Sequence, residues 1–324
     1  MYTTEIGSDL VKAKYLLEQG ELVAIPTETV YGLAGNGLDS NAIAKIYAAK
    51  NRPQFNPLIL HVGSIEQMEK WVEEIPDLCR LLIQHFSPGP ITYLLPKSDQ
   101  VPELITAGSN RVAIRIPAHS ITLQLLNSLE FPLAAPSANP SGYVSPVSTQ
   151  HVFQGLNGKI PYIIEGGSCK IGLESTIVGF QDNKVVVHRL GGISIEEIQA
   201  VCNVDVVVKL AHAQPTAPGQ LKSHYATKKL LLQGDIIENL SLHSGKKVGI
   251  LSFNTNYHIS NSVEYVLSTN GSLSEAASGL FSAMRSLDQS DVDVILAEFF
   301  PDEGLGKSIN DRLARAAYPN KSGK

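Results

Sequence analysis

The sequence predicts an α/β protein with two domains. Short apolar runs of strand length alternate along the chain with amphipathic segments of helical period, which is typical of α/β folds. At 324 residues the chain is also long for one hydrophobic core. Residues 211–229 combine proline, glycine and small polar residues without periodicity, as linkers do. We therefore predict a first domain over residues 1–210, a linker over 211–229 and a smaller domain over 230–324.

The first half of the first domain is predicted to alternate helices with buried strands. Apolar residues at helical spacing, with Ser8 or Asp9 as a cap and Gly20 as a terminator, predict the first helix. The second helix is rich in alanine and can be capped by Ser40 or Asn41. Short apolar runs between the helices predict strands. The predicted helices span 8–20, 42–49, 64–74 and 76–85, and the predicted strands span 22–25, 57–62 and 91–95.

The second half of this domain continues the alternation. Residues 111–117 alternate polar and apolar side chains, as a half-buried strand does. Asp182 and Asn183 form the turn of a predicted hairpin, and Ser194 with Glu197 forms a capping box. The predicted strands span 111–117, 131–139, 173–178 and 184–189, and the predicted helices span 120–129 and 195–201.

The second domain is predicted to hold a small sheet of parallel strands, because strands and helices alternate there. The run GLGKS over 304–308 suggests a phosphate-binding loop, but the full pattern requires a glycine where this chain has Pro301. We therefore reject that interpretation. The predicted elements are strands 248–253 and 292–299 and helices 274–287, capped by Ser274, and 309–317.

The composition indicates an ordinary globular protein that meets charged ligands locally. Hydrophobic residues make up 43% and charged residues 18% of the chain. A net charge of -5 gives no general attraction to nucleic acid or anionic membrane, so a polyanion must meet a local basic pocket. The cysteines at 79, 169 and 202 form neither a C-x-x-C pair nor a secreted framework. We see no signal peptide or membrane span and expect a cytoplasmic protein.

Lys50, Arg52 and Asn56 form the first candidate site. Residues two apart on a continuing helix point to different sides, so the two cations serve one ligand only if the helix unwinds, which Pro53 favours. Two cations and an amide suit a polyanion such as the phosphates of a nucleotide. A helix end decorated with cations that favour its dipole explains the same residues without a ligand. We expect both cations on an exposed loop, where they contribute little to stability.

Further polar side chains lie on the predicted strands or at their ends. Arg111 and Arg115 share one face of their strand. That face is either a solvated edge or the concave side of a sheet, where Arg115 can clasp an amino-acid carboxylate. Ser137 and Asn139 end a strand, and ligands of open α/β sheets collect at the carboxyl ends of strands, although turn chemistry selects the same residue types.

Four more candidates follow in the first domain. Ser145 precedes a proline and predicts a helix start, whose free amides can hold a phosphate. Glu174 and Ser175 lie at the mouth of the predicted hairpin, and Arg189 ends it just before two glycines. Glycine after a cation lets the backbone approach a ligand closely, although a plain turn explains it equally well.

The order of these residues resembles a known family. The runs P-T-E-T-V-Y-G-L and K-x-R-P-x-x-N-P-L, followed by P-S-A-N-x-S-G, E-S-T-I-V and R-x-G, resemble the YrdC-like threonylcarbamoyl-adenylate synthases in their longer, two-domain form. The run G-L-G-x-x-I-N-D-R-L-x-R-A-A resembles the close of that family's second domain. The resemblance implies a twisted, open mixed sheet with helices and a smaller Rossmann-like α/β domain.

The resemblance also implies a reaction. L-Threonine and bicarbonate would form an N-carboxy species that attacks the α-phosphate of ATP, releasing pyrophosphate and leaving threonylcarbamoyl-adenylate. Mg²⁺ would accompany ATP, with no structural metal in the protein. The product would pass to the tRNA threonylcarbamoyl-transferase complex, which modifies adenosine beside the anticodon. No stable nucleic-acid binding and no membrane partner is expected.

The same resemblance implies roles for the candidate residues. Lys50 and Arg52 would be catalytic. The ATP site would comprise Lys50, Arg52, Asn56, Arg111, Ser137, Asn139, Ser145, Arg189 and Tyr225. The threonine site would comprise Thr29, His61, Arg115 and Ser175, with Thr92 as a further candidate. Tyr225 belongs to a P-G-x-x-x-x-H-Y-A segment that lies across the active-site mouth in two-domain members, although this chain departs from the usual pattern at Gln220, Leu221 and Thr227.

Two other functions fit parts of the sequence. A non-catalytic RNA-binding module would present a basic concave surface, but the net acidity and the lack of interleaved aromatic and basic residues weigh against it. A carbamoyl-transfer protein of hydrogenase maturation uses a related domain but also zinc-binding cysteine pairs, which this sequence lacks. We find no nucleophilic dyad or zinc motif. The predicted site therefore acts by positioning and charge stabilisation.

Overall fold

The structure, a computed structural model, describes residues 2–53, 55–210 and 224–318. In these ranges the strands are β1 (Glu5–Gly7), β2 (Val23–Ile25), β3 (Gly32–Asn36), β4 (Ile59–His61), β5 (Ile91–Pro96), β6 (Arg111–Arg115), β7 (Leu133–Ala134), β8 (Tyr162–Ile164), β9 (Thr176–Gln181), β10 (Lys184–Arg189), β11 (Val206–Val208), β12 (Leu230–Gln233), β13 (Val248–Ser252), β14 (Ser262–Val266) and β15 (Val294–Ala297). The helices are α1 (Leu10–Glu18), α2 (Ser40–Lys50), α3 (Ile65–Glu69), α4 (Asp77–Phe86), α5 (Glu103–Thr106), α6 (Ser120–Asn127), α7 (Thr149–Leu156), α8 (Ile195–Cys202), α9 (Ile236–Leu242), α10 (Leu273–Gln289) and α11 (Gly304–Ala317). Strands and helices alternate, as the sequence predicts.

The larger sheet is open and mixed. Its strands follow the order β1-β8-β2-β3-β7-β4-β6-β5-β9-β10-β11. Strands β4 and β6 run parallel with His61 opposite Arg115, whereas β9 and β10 form the predicted antiparallel hairpin. Ile59 and His61 are two residues apart on β4, and their side chains therefore point to the same face of the sheet. The candidate site is built over that face.

The smaller sheet confirms the parallel α/β unit predicted near the end of the chain. Its order is β12-β15-β13-β14, and every neighbouring pair is parallel. Helices α10 and α11 connect or follow its strands. The predicted domain boundaries remain predictions, because most of the linker, including Gln220 and Leu221, lies outside the described residues.

Helix α2 ends near Lys50, as the sequence predicts, but it begins at Ser40, two residues before the predicted start. The side chain of Asp39, rather than Ser40 or Asn41, caps the helix by accepting a hydrogen bond from the Asn41 backbone. The last helical residue is Lys50, and Asn51 then adopts the left-handed conformation with φ of 52°. This break turns the chain so that residues 50 and 52 no longer follow the helical spacing.

Two predicted helix starts are wrong. Ser145 does not begin a helix; α7 begins at residue 149 and is capped by Ser148, while the Ser145 hydroxyl donates to Glu174 over 2.6 Å. Ser272, rather than Ser274, caps α10. In both cases a serine two or three residues from the predicted one has the extended backbone of an N-cap, and its side chain accepts the backbone hydrogen bond. The helix predicted over 64–74 is shorter than expected, because α3 ends at Glu69.

A continuous buried apolar cluster joins the two sheets. It includes Leu60 and Ile114 from the larger sheet and Leu280, Phe281 and Ile309 from helices of the smaller unit. The second unit therefore packs on the first through a true hydrophobic core. The cysteines are buried free thiols: Cys79, Cys169 and Cys202. In the ranges described above, no helix combines the length and the apolar character that a membrane crossing requires.

Candidate active site

A cavity on the larger sheet gathers most of the predicted site. It holds about 540 Å³ of space outside the protein atoms, part of which opens to solvent. Eight of the thirteen predicted residues line it: Thr29, Arg52, His61, Arg115, Ser137, Ser175, Arg189 and Tyr225. Residues far apart in the sequence thus meet in one place, as a shared binding site requires.

Arg115 dominates one part of the cavity. Its guanidinium donates to the Gly89 carbonyl at 3.2 Å, to the Thr29 hydroxyl at 2.9 Å and to the Glu28 carboxylate at 2.5 Å. Both partners of the ion pair with Glu28 are buried. A guanidinium has five N–H donors, so these three bonds leave donors for a ligand carboxylate. The geometry is compatible with the predicted clasp.

His61 lies beside Arg115 as a neutral ring. Burial, and secondarily the positive charge of Arg115, lowers the pKa of His61 to about 3. Its Nδ1 is 3.3 Å from the Ile59 carbonyl. A neutral imidazole in this position offers one donor and one acceptor and adds no charge.

Arg52 and Lys50 lie near each other but are buried, contrary to the expected exposed loop. Arg52 is 8% exposed and donates to the carbonyls of Asn56 and Pro57 at 3.2 and 2.8 Å. Lys50 is 1% exposed, and its Nζ donates to the carbonyls of Ser137 and Asn139. Burial, with repulsion between the two cations second, lowers the pKa of Lys50 well below its ordinary value. Lys50 therefore fixes the loop that carries Ser137, and only Arg52 of the two lines the cavity.

Two buried asparagines flank these cations. In the described part of the chain, neither side-chain polar atom of Asn56 has a hydrogen-bond partner, and the same holds for Oδ1 of Asn139. Buried amides without partners are rare in folded proteins. Such atoms are suited to a polar ligand, although neither side chain lines the cavity directly.

Arg189 approaches the cavity from the end of β10. It donates to the Ser175 carbonyl and hydroxyl over 2.8 to 3.0 Å, and the same hydroxyl lies 2.6 Å from Thr92. Burial lowers the pKa of Arg189 to about 10. Position 191, two residues after Arg189, requires glycine because a Cβ there would lie only 2.3 Å from the Glu174 carbonyl oxygen. This glycine thus permits a close approach to protein backbone, not to a ligand as the sequence suggested.

Arg111 does not join the cavity. It lines a separate depression together with Gln181 and His188. Arg111 and Arg115 share one face of β6, but four residues of strand span roughly 13 Å. Side chains on the same face therefore reach different places, and we drop Arg111 from the nucleotide site.

Tyr225 and His224 cover the cavity. Tyr225 is 1% exposed, and its ring stacks on Phe281 with centroids 5.4 Å apart, while His224 meets it edge-on at 4.1 Å. The Ala226 amide donates to the Gly142 carbonyl at 2.8 Å and ties this segment to the first domain. Tyr225 holds a φ of 63°, which is uncommon for a bulky residue. Ring packing and the Ala226 hydrogen bond together hold residues 224–226 at the site.

Sequence reasoning missed Arg312, which lies directly behind the cavity. Arg312 of α11 is fully buried and pairs with Glu174 at 3.1 Å. Arg312 lies on the buried face of the helix with Ile309 and Leu313. The sequence signal that could have revealed it is an arginine at a position where the helical period predicts an apolar core residue. The ion-pair partner of Arg312 is 138 residues away, and no local pattern indicates that contact.

The buried histidines predict an acid-sensitive fold. Burial lowers the pKa of both His61 and His224 to about 3, against 6.5 ordinarily. Between these values the unfolded chain binds more protons than the folded chain, so stability falls as the pH drops below 6.5. We expect a loss of about 2 kcal/mol per histidine between pH 7 and pH 5. Urea unfolding at the two pH values measures it.

A double variant isolates this effect from other titrating groups. His61→Gln/His224→Gln is expected to show a smaller loss of unfolding free energy between pH 7 and pH 5 than the unaltered chain, by about 4 kcal/mol. Lowered carboxylate pKa values, such as that of Glu174, act mainly below this range. Equal losses in both proteins would show that these two rings do not titrate on unfolding.

Two family models match the chain. The model for Sua5, YciO and YrdC proteins, described as "Telomere recombination", matches residues 15–191. The model described as "Threonylcarbamoyl-AMP synthase, C-terminal domain" matches residues 193–318. Together they cover every strand of both sheets except β1.

Named relatives are similar over nearly their whole length. The chain is 42% identical to the threonylcarbamoyl-AMP synthase of Pyrococcus abyssi, over 93% of this chain and 92% of that protein. It is 40% identical to the threonylcarbamoyl-AMP synthase of Bacillus subtilis, over 95% and 92% respectively. The crystal structure of P. abyssi Sua5 complexed with L-threonine matches with a TM-score of 0.90 and 38% identity, covering 98% of this chain and 97% of that one. The chain therefore belongs to the Sua5, YciO and YrdC family, in the two-domain form that carries the threonylcarbamoyl-AMP synthase C-terminal domain.

Proposed function

We propose that this chain is a threonylcarbamoyl-AMP synthase, which converts L-threonine, bicarbonate and ATP into threonylcarbamoyl-adenylate and pyrophosphate. One observation carries the proposal: the buried guanidinium groups of Arg52, Arg115 and Arg189 line a single cavity. Relatives of that name at 40% identity or above and the threonine complex of P. abyssi Sua5 support it.

The amino acid would bind around Arg115. The remaining donors of that guanidinium would take the threonine carboxylate, with Thr29 and Ser175 offering hydroxyls and His61 a neutral ring nitrogen. Glu28 already balances the charge of Arg115 through a buried ion pair. The carboxylate is therefore held by directed hydrogen bonds more than by net charge.

The triphosphate would bind at Arg52 and Arg189. Each guanidinium is buried and bonded to backbone carbonyls, and burial lowers the pKa of each to about 10. Desolvated cations are costly unless an anion balances them, and phosphate groups supply that balance. Lys50 holds the 137–139 loop, and Ser137 lines the cavity beside Arg52. Tyr225 lines the same cavity and would complete the nucleotide site, while Asn56, Asn139 and Ser145 would support it from outside the lining.

The chemistry needs positioning and charge stabilisation. The threonine nitrogen and bicarbonate form an N-carboxylate with loss of water. One carboxylate oxygen then attacks the α-phosphorus, the bond to the bridging oxygen breaks, and pyrophosphate leaves with the electron pair. Arg52 and Arg189 would stabilise the charge that develops on the phosphoryl oxygens. Because the His61 ring is neutral, it would place no second positive charge next to the threonine nitrogen.

Magnesium enters as the companion of ATP. Glu174 lines the cavity, and Glu28 bonds to Arg115 from outside its lining. Both carboxylates are already paired with arginines, so the site suits a metal that the phosphate oxygens carry better than one that the protein holds. Bound Mg²⁺ would neutralise charge on the triphosphate. In the ranges that the structure describes, no group of three or more histidine, cysteine or acidic side chains could hold a metal ion.

Pyrophosphate release tests the function. We expect the purified chain to release pyrophosphate from ATP and Mg²⁺ only when threonine and bicarbonate are both present. Omitting either substrate should lower the rate to the background of the buffer, because the attacking oxygen belongs to a group built from both. Release without threonine would contradict the proposal, and salt-sensitive tRNA binding without any release would favour an RNA-binding module instead.

A further inference from the structure

The second domain reaches the candidate site through two buried arginines. Arg285 of α10 donates to the carbonyls of Val144 and Ser145. Arg312 of α11 donates to the Leu190 carbonyl at 2.7 Å and pairs with Glu174. Both side chains rank among the largest that are fully buried. Long cations are almost never buried this completely without a specific partner, so these contacts hold the second domain against segments of the first.

Arg312 touches two groups of the cavity wall without lining the cavity itself. Its Nε lies 3.1 Å from Glu174 Oε2, and its guanidinium carbon lies 5.3 Å from the centre of the Tyr225 ring. Glu174 and Tyr225 both line the cavity. Arg312 therefore acts on any ligand through these two residues.

Glu174 explains why a buried cation is needed there. Burial by itself would raise the pKa of Glu174, but Arg312 foremost and then Arg189 outweigh burial, so the pKa is lowered and the carboxylate stays ionised. An ionised carboxylate in the cavity repels a triphosphate. Without Arg312, the compensation of Glu174 would fall mainly to Arg189, the same cation that the phosphates would use.

We propose that Arg312 is a positioning residue for nucleotide binding: it neutralises Glu174 from behind, so that Glu174 neither repels the triphosphate nor draws Arg189 away from its bonds to Ser175. This gives the second domain a defined part in the site. The inference rests on the proposed function, because it supposes that ATP binds at Arg52 and Arg189.

The experiment is calorimetric titration of MgATP, and separately of threonine, into the full-length chain. Arg312→Gln is expected to weaken ATP binding at least about tenfold, since removing one partner leaves a buried, unpaired charge. Glu174→Gln/Arg312→Gln removes that charge as well and is expected to recover most of the loss. Threonine affinity should stay within about threefold in both. Recovery separates charge neutralisation from packing, because a packing role gains nothing from a second substitution.

A matched control lies on the same helix. Arg315 is unsuitable because its partner Asp311 also pairs with Arg312. Lys307 of α11 pairs with Glu196 over 2.6 Å in a more exposed position, and Lys307→Gln is expected to leave ATP affinity within about twofold. ATP binding by folded Arg312→Gln within threefold of the unaltered chain would overturn the inference. Equal weakness of the single and double variants would overturn it too.

A lysine variant covers the case in which Arg312→Gln does not fold. Arg312→Lys loses the planar fork but keeps the charge that neutralises Glu174. ATP affinity is therefore expected to stay within about threefold, and a tenfold loss would overturn the inference. The two proposals fail differently. An unaltered chain that neither binds ATP nor releases pyrophosphate refutes the synthase function, whereas one that does both beside an unaffected Arg312→Gln refutes only the role of Arg312.

Discussion

Arg52→Ala is expected to lower kcat/KM for pyrophosphate release by at least about 10³-fold, because arginines that stabilise a transferring phosphoryl group contribute that much or more. Arg52 lines the cavity, and its side chain is already fixed by the carbonyls of Asn56 and Pro57. The guanidinium is therefore in place before the nucleotide binds. Steady-state rates at saturating threonine and bicarbonate measure the loss.

The effect of Arg52→Ala on the free energy of unfolding has to be measured as well as its effect on the rate. The two carbonyls lose their donor, and each unsatisfied buried group costs about 1–3 kcal/mol. Arg111→Ala is the matched control, because Arg111 is an arginine of the same domain that lies outside the cavity. We expect the control to keep its activity within about threefold. Activity of folded Arg52→Ala at the level of this control would remove Arg52 from the phosphate site.

The sequence predicts well what local chemistry decides. Helix α2 ends near residue 50 because Pro53 forbids its continuation, and the structure confirms the break with Asn51 in the left-handed conformation. The hairpin of β9 and β10 turns at Asp182 and Asn183, which both adopt positive φ. In each case a few adjacent residues determine the backbone, so a single sequence suffices.

The burial of the cations could not be predicted, because it depends on distant partners. Lys50 was expected on an exposed loop, but its Nζ is held by carbonyls 87 and 89 residues further along the chain. The ion pair of Arg312 with Glu174 spans 138 residues. Loops that meet across a sheet leave no periodic trace in the sequence. Removing Lys50 would therefore disturb the 137–139 loop as well as the charge.

Short strands escaped prediction for another reason. Strands β1 and β8 have three residues each, and a period of two cannot be recognised over such a length. The equally short β2 and β4 are predicted from continuous apolar runs and not from a period. Strands β1 and β8 form at the edge of the larger sheet by pairing with each other and, for β8, with β2. Tertiary pairing, not local propensity, makes them strands.

Arg115→Ala is expected to raise the KM for threonine at least about 10²-fold, while the KM for ATP stays within about threefold, because a bidentate carboxylate clasp is lost. Arg115 and Arg111 lie on one strand, so Arg111→Ala serves again as the control and should leave both values within about threefold. Initial rates with each substrate varied in turn give the two constants.

Glu28 complicates this experiment in a way that can be resolved. Truncating Arg115 leaves a buried carboxylate without its partner, which destabilises a protein by about 3–5 kcal/mol. Glu28→Gln/Arg115→Gln removes both charges and is expected to restore most of the stability while the KM for threonine remains high. Arg115→Lys keeps the charge without the fork and should bind threonine weakly as well. If the double variant recovered threonine binding along with stability, Arg115 would serve only to balance Glu28. A rise in KM confined to ATP would place Arg115 at the nucleotide instead.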